Sequence, residues 1–340
     1  ATSDVLGHTT TTAYTPATGG PVTSIKVTNT APFSWPTTTA YNPEWGVETS
    51  VTDPNGHLTT ATYDALGRRT QVWLPQHTQS ANPSAPSISY AYTLSQTAAN
   101  AIQTTRLTAT STDVRYDLFD GLGQQVQSQQ PADGSGSIIS ATAFDAAGRS
   151  YLVDNPYWTT SVSPSSVRFQ PATEATIPSQ LSTTYDGAGR PVKAITNQTG
   201  TERFETDYAY SGADRTDVTP PGGGTPTSTF TNSIGEKTKL VQYLSATPTG
   251  ASQATTYSYD AAGRMTGMSD PAGNHWTWGF DVLGHQTTAI DPDTGTTTAT
   301  YDDGGNQLTS TDARGQLLTY TYDALNRKTA EYAGTAAGSL

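Results

Sequence analysis

A chain of 340 residues with 34% hydrophobic and 14% charged side chains is long enough to bury a sizeable core. Its net charge of −12 argues against nucleic acid or an anionic membrane surface as partner. With no cysteine there is no disulfide framework and no thiol chemistry, and no apolar run of about 18 residues offers a membrane-spanning helix.

In chain order, the first recognisable stretch is Asp4-Val5-Leu6-Gly7-His8, which repeats residues 281–285 with Ser3 in place of an aromatic. Tyr41-Asn42-Pro43-Glu44-Trp45-Gly46 is a looser copy, followed seven residues after Gly46 by Asp53-Pro54-Asn55-Gly56. Tyr63, Asp64, Gly67 and Arg68 then form a clean Tyr-Asp-x-x-Gly-Arg mark, and Leu74-Pro75 stands where Asp-Pro would follow. Residues 76–258 are rich in inserts. Residues 76–86 read as a loop, and 98–103 read as a short helix. Clean marks recur at Phe119, Asp120 and Gly123, at Phe144, Asp145, Gly148 and Arg149, and at Tyr185, Asp186, Gly189 and Arg190. Between 190 and 259, residues 205–211 read as a strand, 220–224 as a loop, and Asn232-Ser233-Ile234-Gly235 as a turn with Asn for Asp.

The pattern is cleanest over 259–327. The mark recurs as Tyr259, Asp260, Gly263 and Arg264; as Phe280, Asp281 and Gly284; as Tyr301, Asp302 and Gly305; and as Tyr322, Asp323 and Arg327. The starting aromatics at 259, 280, 301 and 322 are spaced by 21. Between them lie Asp270-Pro271-Ala272-Gly273, Asp291-Pro292-Asp293-Thr294-Gly295 and Asp312-Ala313-Arg314-Gly315. A fixed period of this size defines a repeat architecture. Asp first, Pro second and Gly fourth suit a type I turn, with Gly taking the positive φ. Two such turns per period leave strands at 274–280 and 285–290, so each unit is one β-hairpin. Trp276, Trp278 and Phe280 fall on one strand face, as do Leu318, Tyr320 and Tyr322, with Thr and other small polar residues opposite.

These two marks, recurring together in fixed order, resemble the YD repeat of Rhs proteins, toxin-complex C components and teneurins. The resemblance implies an all-β fold of tandem antiparallel β-hairpins forming a curved or spiral β-strip, a fragment of a hollow shell. In bacteria such a shell commonly encloses a C-terminal toxin, and in teneurins it serves an adhesion receptor. Rhs-type shells often carry an Asp-based self-cleavage region after the repeats; nothing here matches it, so no catalytic residue is carried over.

Other chemistry is thin. His8 and His285 occupy the slot that Arg fills elsewhere; His57 and His275 follow turns, and no zinc-ligand spacing includes them or His77. Asp291, Asp293, Asp302, Asp303 and Asp312 cluster in sequence without a calcium-loop pattern and read as turn caps. There is no Gly-x-Ser-x-Gly elbow, and neither residues 220–224 nor 235–238 have phosphate-loop spacing. Glu44 and Glu48 flank Trp45 and read as solvent-facing rather than as a glycosidase pair. The recurring aromatics read as packing between hairpins. Trp158, outside the repeat, is the better candidate for binding.

The expectation is therefore a single repeat region over 1–340, a piece of a longer protein, non-enzymatic and without cofactor, metal or catalytic residue. Its motif residues act structurally. Its function is to wall in or present a C-terminal effector of a secreted or cell-surface protein, the alternative being an adhesion or carbohydrate-binding module. Its expected partner is the rest of its own polypeptide, with self-association through strand edges. An opening Ala1 rather than Met is compatible with a leader having been removed.

Overall fold

A computed structural model describes residues 2–3, 9–30 and 34–335. The first mark, at 4–8, lies outside them. The described residues are all β, with 27 strands and a one-turn 3₁₀ helix, Glu174–Thr176. They divide into two compact units, residues 1–183 with 196–203, and 184–195 with 204–340.

Within each unit, strands pair antiparallel with their neighbours in sequence, hairpin after hairpin. In the second unit this gives His275–Phe280, Gln286–Asp291, Gly295–Tyr301, Gln307–Thr311, Leu317–Tyr322 and Lys328–Ala333, one beside the next. Among the described residues, no pairing closes the sheet on itself.

A second regularity accompanies the corners. Six residues beyond the corner Asp, one residue is skipped in the register: Thr70, Val126, Thr266, Thr287 and Thr329 among others. Such a bulge bends the strand and increases its right-handed twist. Where both sides carry a hydroxyl the two meet, as in Thr62 with Thr70 and Thr321 with Thr329, each at 2.9 Å.

Residues 98–103 are not helical. Asn100–Leu107 is a strand paired on both sides, with Thr112–Phe119 and with Ile88–Thr93. Just before the strand, Ser95 Oγ accepts the N–H groups of Thr97 and Ala98. Pairing with two neighbours then overrides local propensity. The loop at 76–86 and the strand and turn features at 205–235 lie as read from sequence.

Some of the best-buried side chains of the first unit lie under its inserts. Trp73, 1% exposed, donates its indole N–H to Asn82 O in the 76–86 loop at 2.8 Å. Ile139, Tyr157 and Ile177 form a cluster covered by Val162 and Phe169 from the 160–179 insert. Ala101, Leu118 and Val126 form another, against which Phe144 and Tyr116 pack. Inserts thus supply apolar cover that a single sheet layer lacks.

Candidate functional site

The most built feature is the row of corners. At Asp260, Oδ1 accepts the N–H of Ala262 at 2.9 Å and that of Arg264 at 3.0 Å. Oδ2 accepts Arg264 Nε at 2.7 Å. The main chain closes the loop, Asp260 N–H to Arg264 O and Gly263 N–H to Asp260 O, both at 3.0 Å. The same set recurs at Asp64, Asp145, Asp186 and Asp323 with Arg68, Arg149, Arg190 and Arg327. At Asp120 the backbone bonds are kept and Gln124 stands in the Arg slot. Gly67, Gly123, Gly148, Gly189, Gly263, Gly284 and Gly305 carry the positive φ. At the fourth position of the last corner Asn326 does so at φ 61°, a conformation Asn tolerates.

The Asp-Pro corners use the same device, which the different spelling of the two marks conceals. Asp53 Oδ1 accepts from Asn55 and His57, and its Oδ2 faces His57 Nδ1 at 2.9 Å. Asp270 does likewise with Ala272 and Asn274. In the units with both marks, the two ends of a strand are therefore turned by a carboxylate that gathers two backbone donors.

These bonds hold the carboxyls below their ordinary range. Asp64, Asp145 and Asp302 are lowered chiefly by side-chain donors Arg68, Arg149 and Asn306. Asp260 and Asp323 are lowered chiefly by backbone donors of Arg264 and Arg327. Partial burial pushes Asp281 up, but the bonds from His285 outweigh it.

The fifth residue of one corner reaches the aromatic of the next. Arg68 lies over Tyr92 at 4.4 Å, Arg190 over Tyr210 at 4.1 Å and Arg264 over Phe280 at 4.9 Å. His285 stacks on Tyr301 at 4.8 Å, so it substitutes for Arg in contact as well as position. The tyrosine hydroxyls then reach back across a strand. Tyr63 donates to Glu48 O, Tyr259 to Lys237 O, Tyr301 to Gln286 O and Tyr322 to Gln307 O. Tyr92 and Tyr210 make the same tether, to Arg69 O and Pro191 O, although neither begins a Tyr-Asp mark. Their signal was the Tyr-x-Tyr alternation at 90–92 and 208–210, shared with 257–259.

The remaining candidates are not brought together. Trp158 is 61% exposed, with its indole N–H on Ser135 O at 3.0 Å. His77 Nε2 contacts Ala85 O within its loop. Trp45, beside Glu44, lies with its ring against Gly67. Among the described residues, no three His, Cys, Asp or Glu side chains converge as a metal would require, and no helix is long and apolar enough to cross a membrane.

The two faces of the clean repeats differ. One pairs Ser258 with Gly267, Thr277 with Ile290, Thr288 with Thr298 and Thr309 with Thr319. The other pairs Tyr257 with Met268, Trp276 with Met268 and Trp278 with Ala289. The first face is mostly Thr and Ser, with His275, Ile290 and Leu317; the second carries the aromatics, interspersed with Ala289, Thr297, Ala299 and Ser310.

Fold and corners together define a protein of tandem β-hairpin repeats. The RHS Repeat family profile matches residues 45–76, 244–275 and 301–338. A search of curated protein sequences finds no match. Among solved structures, the chain is similar to one of TcdB2-TccC3, at TM-score 0.65 and 17% identity over 88% of this chain and 18% of that one. It is similar to TcdB2-TccC3-Cdc42 at 0.67 and 15%, over 93% and 21%. It is also similar to a mutant Photorhabdus luminescens Tc holotoxin pore at 0.65 and 15%, over 94% and 21%. The chain thus spans about a fifth of the length of the solved chains it matches.

Proposed function

We propose that this chain is a non-catalytic wall segment of a shell that encloses or presents another polypeptide, the C-terminal effector of a secreted or surface RHS-type protein. The observation that carries this reading is the two-sided sheet. On the hydroxyl face, from Ser258 through Thr277, Thr298 and Thr311 to Thr319, the paired positions hold no Asp, Glu, Lys or Arg. Such a surface offers an enclosed chain neither a strong ion pair nor a large apolar patch on which to stick. The aromatic face meanwhile packs along the strip and keeps it rigid. The RHS matches and the likeness to toxin-complex structures support the same reading. The motif residues of the corners serve it by setting strand length and spacing.

The test uses the longer natural polypeptide. Treated with trypsin under native conditions, a polypeptide that follows the repeats should resist cleavage until the repeats are opened with denaturant. Equal cleavage of that segment before and after opening would remove the enclosing shell.

The exposed indole of Trp158 favours one second reading, a surface that recognises glycan. A glycan array probed with the native chain and with Trp158→Ala separates the two, since only recognition through that indole is lost in the variant.

A further inference from the structure

In the first unit, residues 160–171 cross the face of strands Gln125–Pro131 and Ser137–Phe144, and side-chain amides hold their main chain. Gln127 and Gln129 are 3% and 0% exposed. Gln127 Oε1 accepts the N–H of Phe169 at 2.8 Å, and Nε2 of the same amide donates to Phe169 O at 2.9 Å. Gln129 Oε1 accepts the N–H of Ser165 at 2.9 Å, and its Nε2 donates to Val167 O at 2.7 Å. Gln129 Nε2 also donates to Gln127 Oε1 at 2.8 Å, tying the pair together. Ser137 Oγ donates to Val162 O at 2.9 Å.

An amide that both accepts from and donates to one residue's main chain reproduces what a neighbouring β-strand offers. None of these bonds to the strap uses a strap side chain. What the two glutamines recognise is extended backbone, in the way a sheet edge recognises an added strand, but from the face of the sheet.

We propose that Gln127 and Gln129 form a docking surface for extended polypeptide, read through its main chain rather than its sequence, with residues 160–171 as the resident occupant. The surface must always be filled, because buried amides without partners are costly. A second extended chain therefore enters only as the strap leaves. This goes beyond the shell reading and does not depend on it.

The strap carries its own reporter. Arg168 is the only Lys or Arg between Arg149 and Arg190, and its side chain is exposed, whereas the next N–H is held by Gln127. Trypsin cleavage after Arg168 in the intact chain therefore measures strap release. The probes are a peptide of residues 161–171 carrying Arg168→Ala, a scrambled form of it, and a form N-methylated at the Ser165 and Phe169 positions. Each is added at about millimolar concentration, matching the effective concentration of a tethered segment. Native-order and scrambled peptides should both raise the cleavage rate after Arg168 saturably, and the N-methylated one should not. In the Gln127→Met/Gln129→Met variant cleavage should be fast without peptide, while Arg106 on a strand of the same unit stays protected. If that variant unfolds, Arg106 is cut as well and the peptide experiment on the unaltered chain decides. No acceleration by either peptide, or acceleration by the native order alone, overturns the proposal.

Discussion

The hydroxyl of Tyr322 donates to the backbone carbonyl of Gln307 at 2.9 Å, just as Tyr301 does to Gln286, one period of 21 earlier. The accepting residue follows the corner of the preceding unit in each case. The tether therefore joins consecutive repeats rather than bracing a single hairpin. Tyr322→Phe keeps the ring and removes only this bond, so it should lower stability by about 1 kcal/mol in urea titration. Phe280→Tyr, at a slot that lacks the hydroxyl, is the matching gain. An unchanged midpoint for Tyr322→Phe would mean water replaces the hydroxyl without loss.

The corner at Asn232 inverts the usual charges. Asn232 Oδ1 still accepts from Ile234 and Glu236, at 3.1 and 3.0 Å, while its Nδ2 donates to Glu236 Oε2 at 2.6 Å. Asn232→Asp alone sets two carboxylates together and should destabilise, and Glu236→Arg alone forfeits the amide bond. The double variant recreates the Asp–Arg corner, so the cycle should show favourable coupling of about 0.5–1 kcal/mol. Additive single effects would show that corner side chains act independently.

Acid should weaken the fold through these corners. The carboxyls of Asp64, Asp145, Asp260, Asp302 and Asp323 titrate below their ordinary value in the folded chain. A group lowered on folding stabilises above its unfolded pKa of about 3.9, and that contribution is lost as pH falls through the folded values. Thermal midpoints should hold from pH 7 to about 5 and fall steadily below about 4. Because these corners are solvent-facing, added salt should blunt the fall. A flat profile down to pH 3 would contradict the assignment.

Gly67 and Gly123 share a positive φ, 73° and 78°, but differ in surroundings. A Cβ at Gly67 would meet Trp45 Cε3 at 2.9 Å, whereas at Gly123 nothing lies within 4 Å. Alanine at Gly123 should cost the left-handed penalty alone, about 1–2 kcal/mol. At Gly67 the indole must also move, so the loss is larger and Trp45 fluorescence shifts. Equal losses would place the indole elsewhere in solution.

How much of this was legible depends on sequence distance. The corner bonds of Asp260 span two and four residues, so Asp, Gly and the following Arg spell them out locally. Strand alternation at Trp276, Trp278 and Phe280 is equally local. The helix expected at 98–103 failed because the strands that pair with Asn100–Leu107, Ile88–Thr93 and Thr112–Phe119, lie outside the segment and leave no local mark in it. The tethers of Tyr92 and Tyr210 reach back 23 and 19 residues to backbone carbonyls, which carry no side-chain signature.

By itself, then, the sequence determined the repeat, its corners and the antiparallel all-β order, since each arises from bonds between residues a few positions apart. Only the tertiary structure decided what lies on the sheet faces. The amides of Gln127 and Gln129 find the main chain at 165–169 across 36 to 42 residues, and such bonds to backbone leave no pattern of residue types to read.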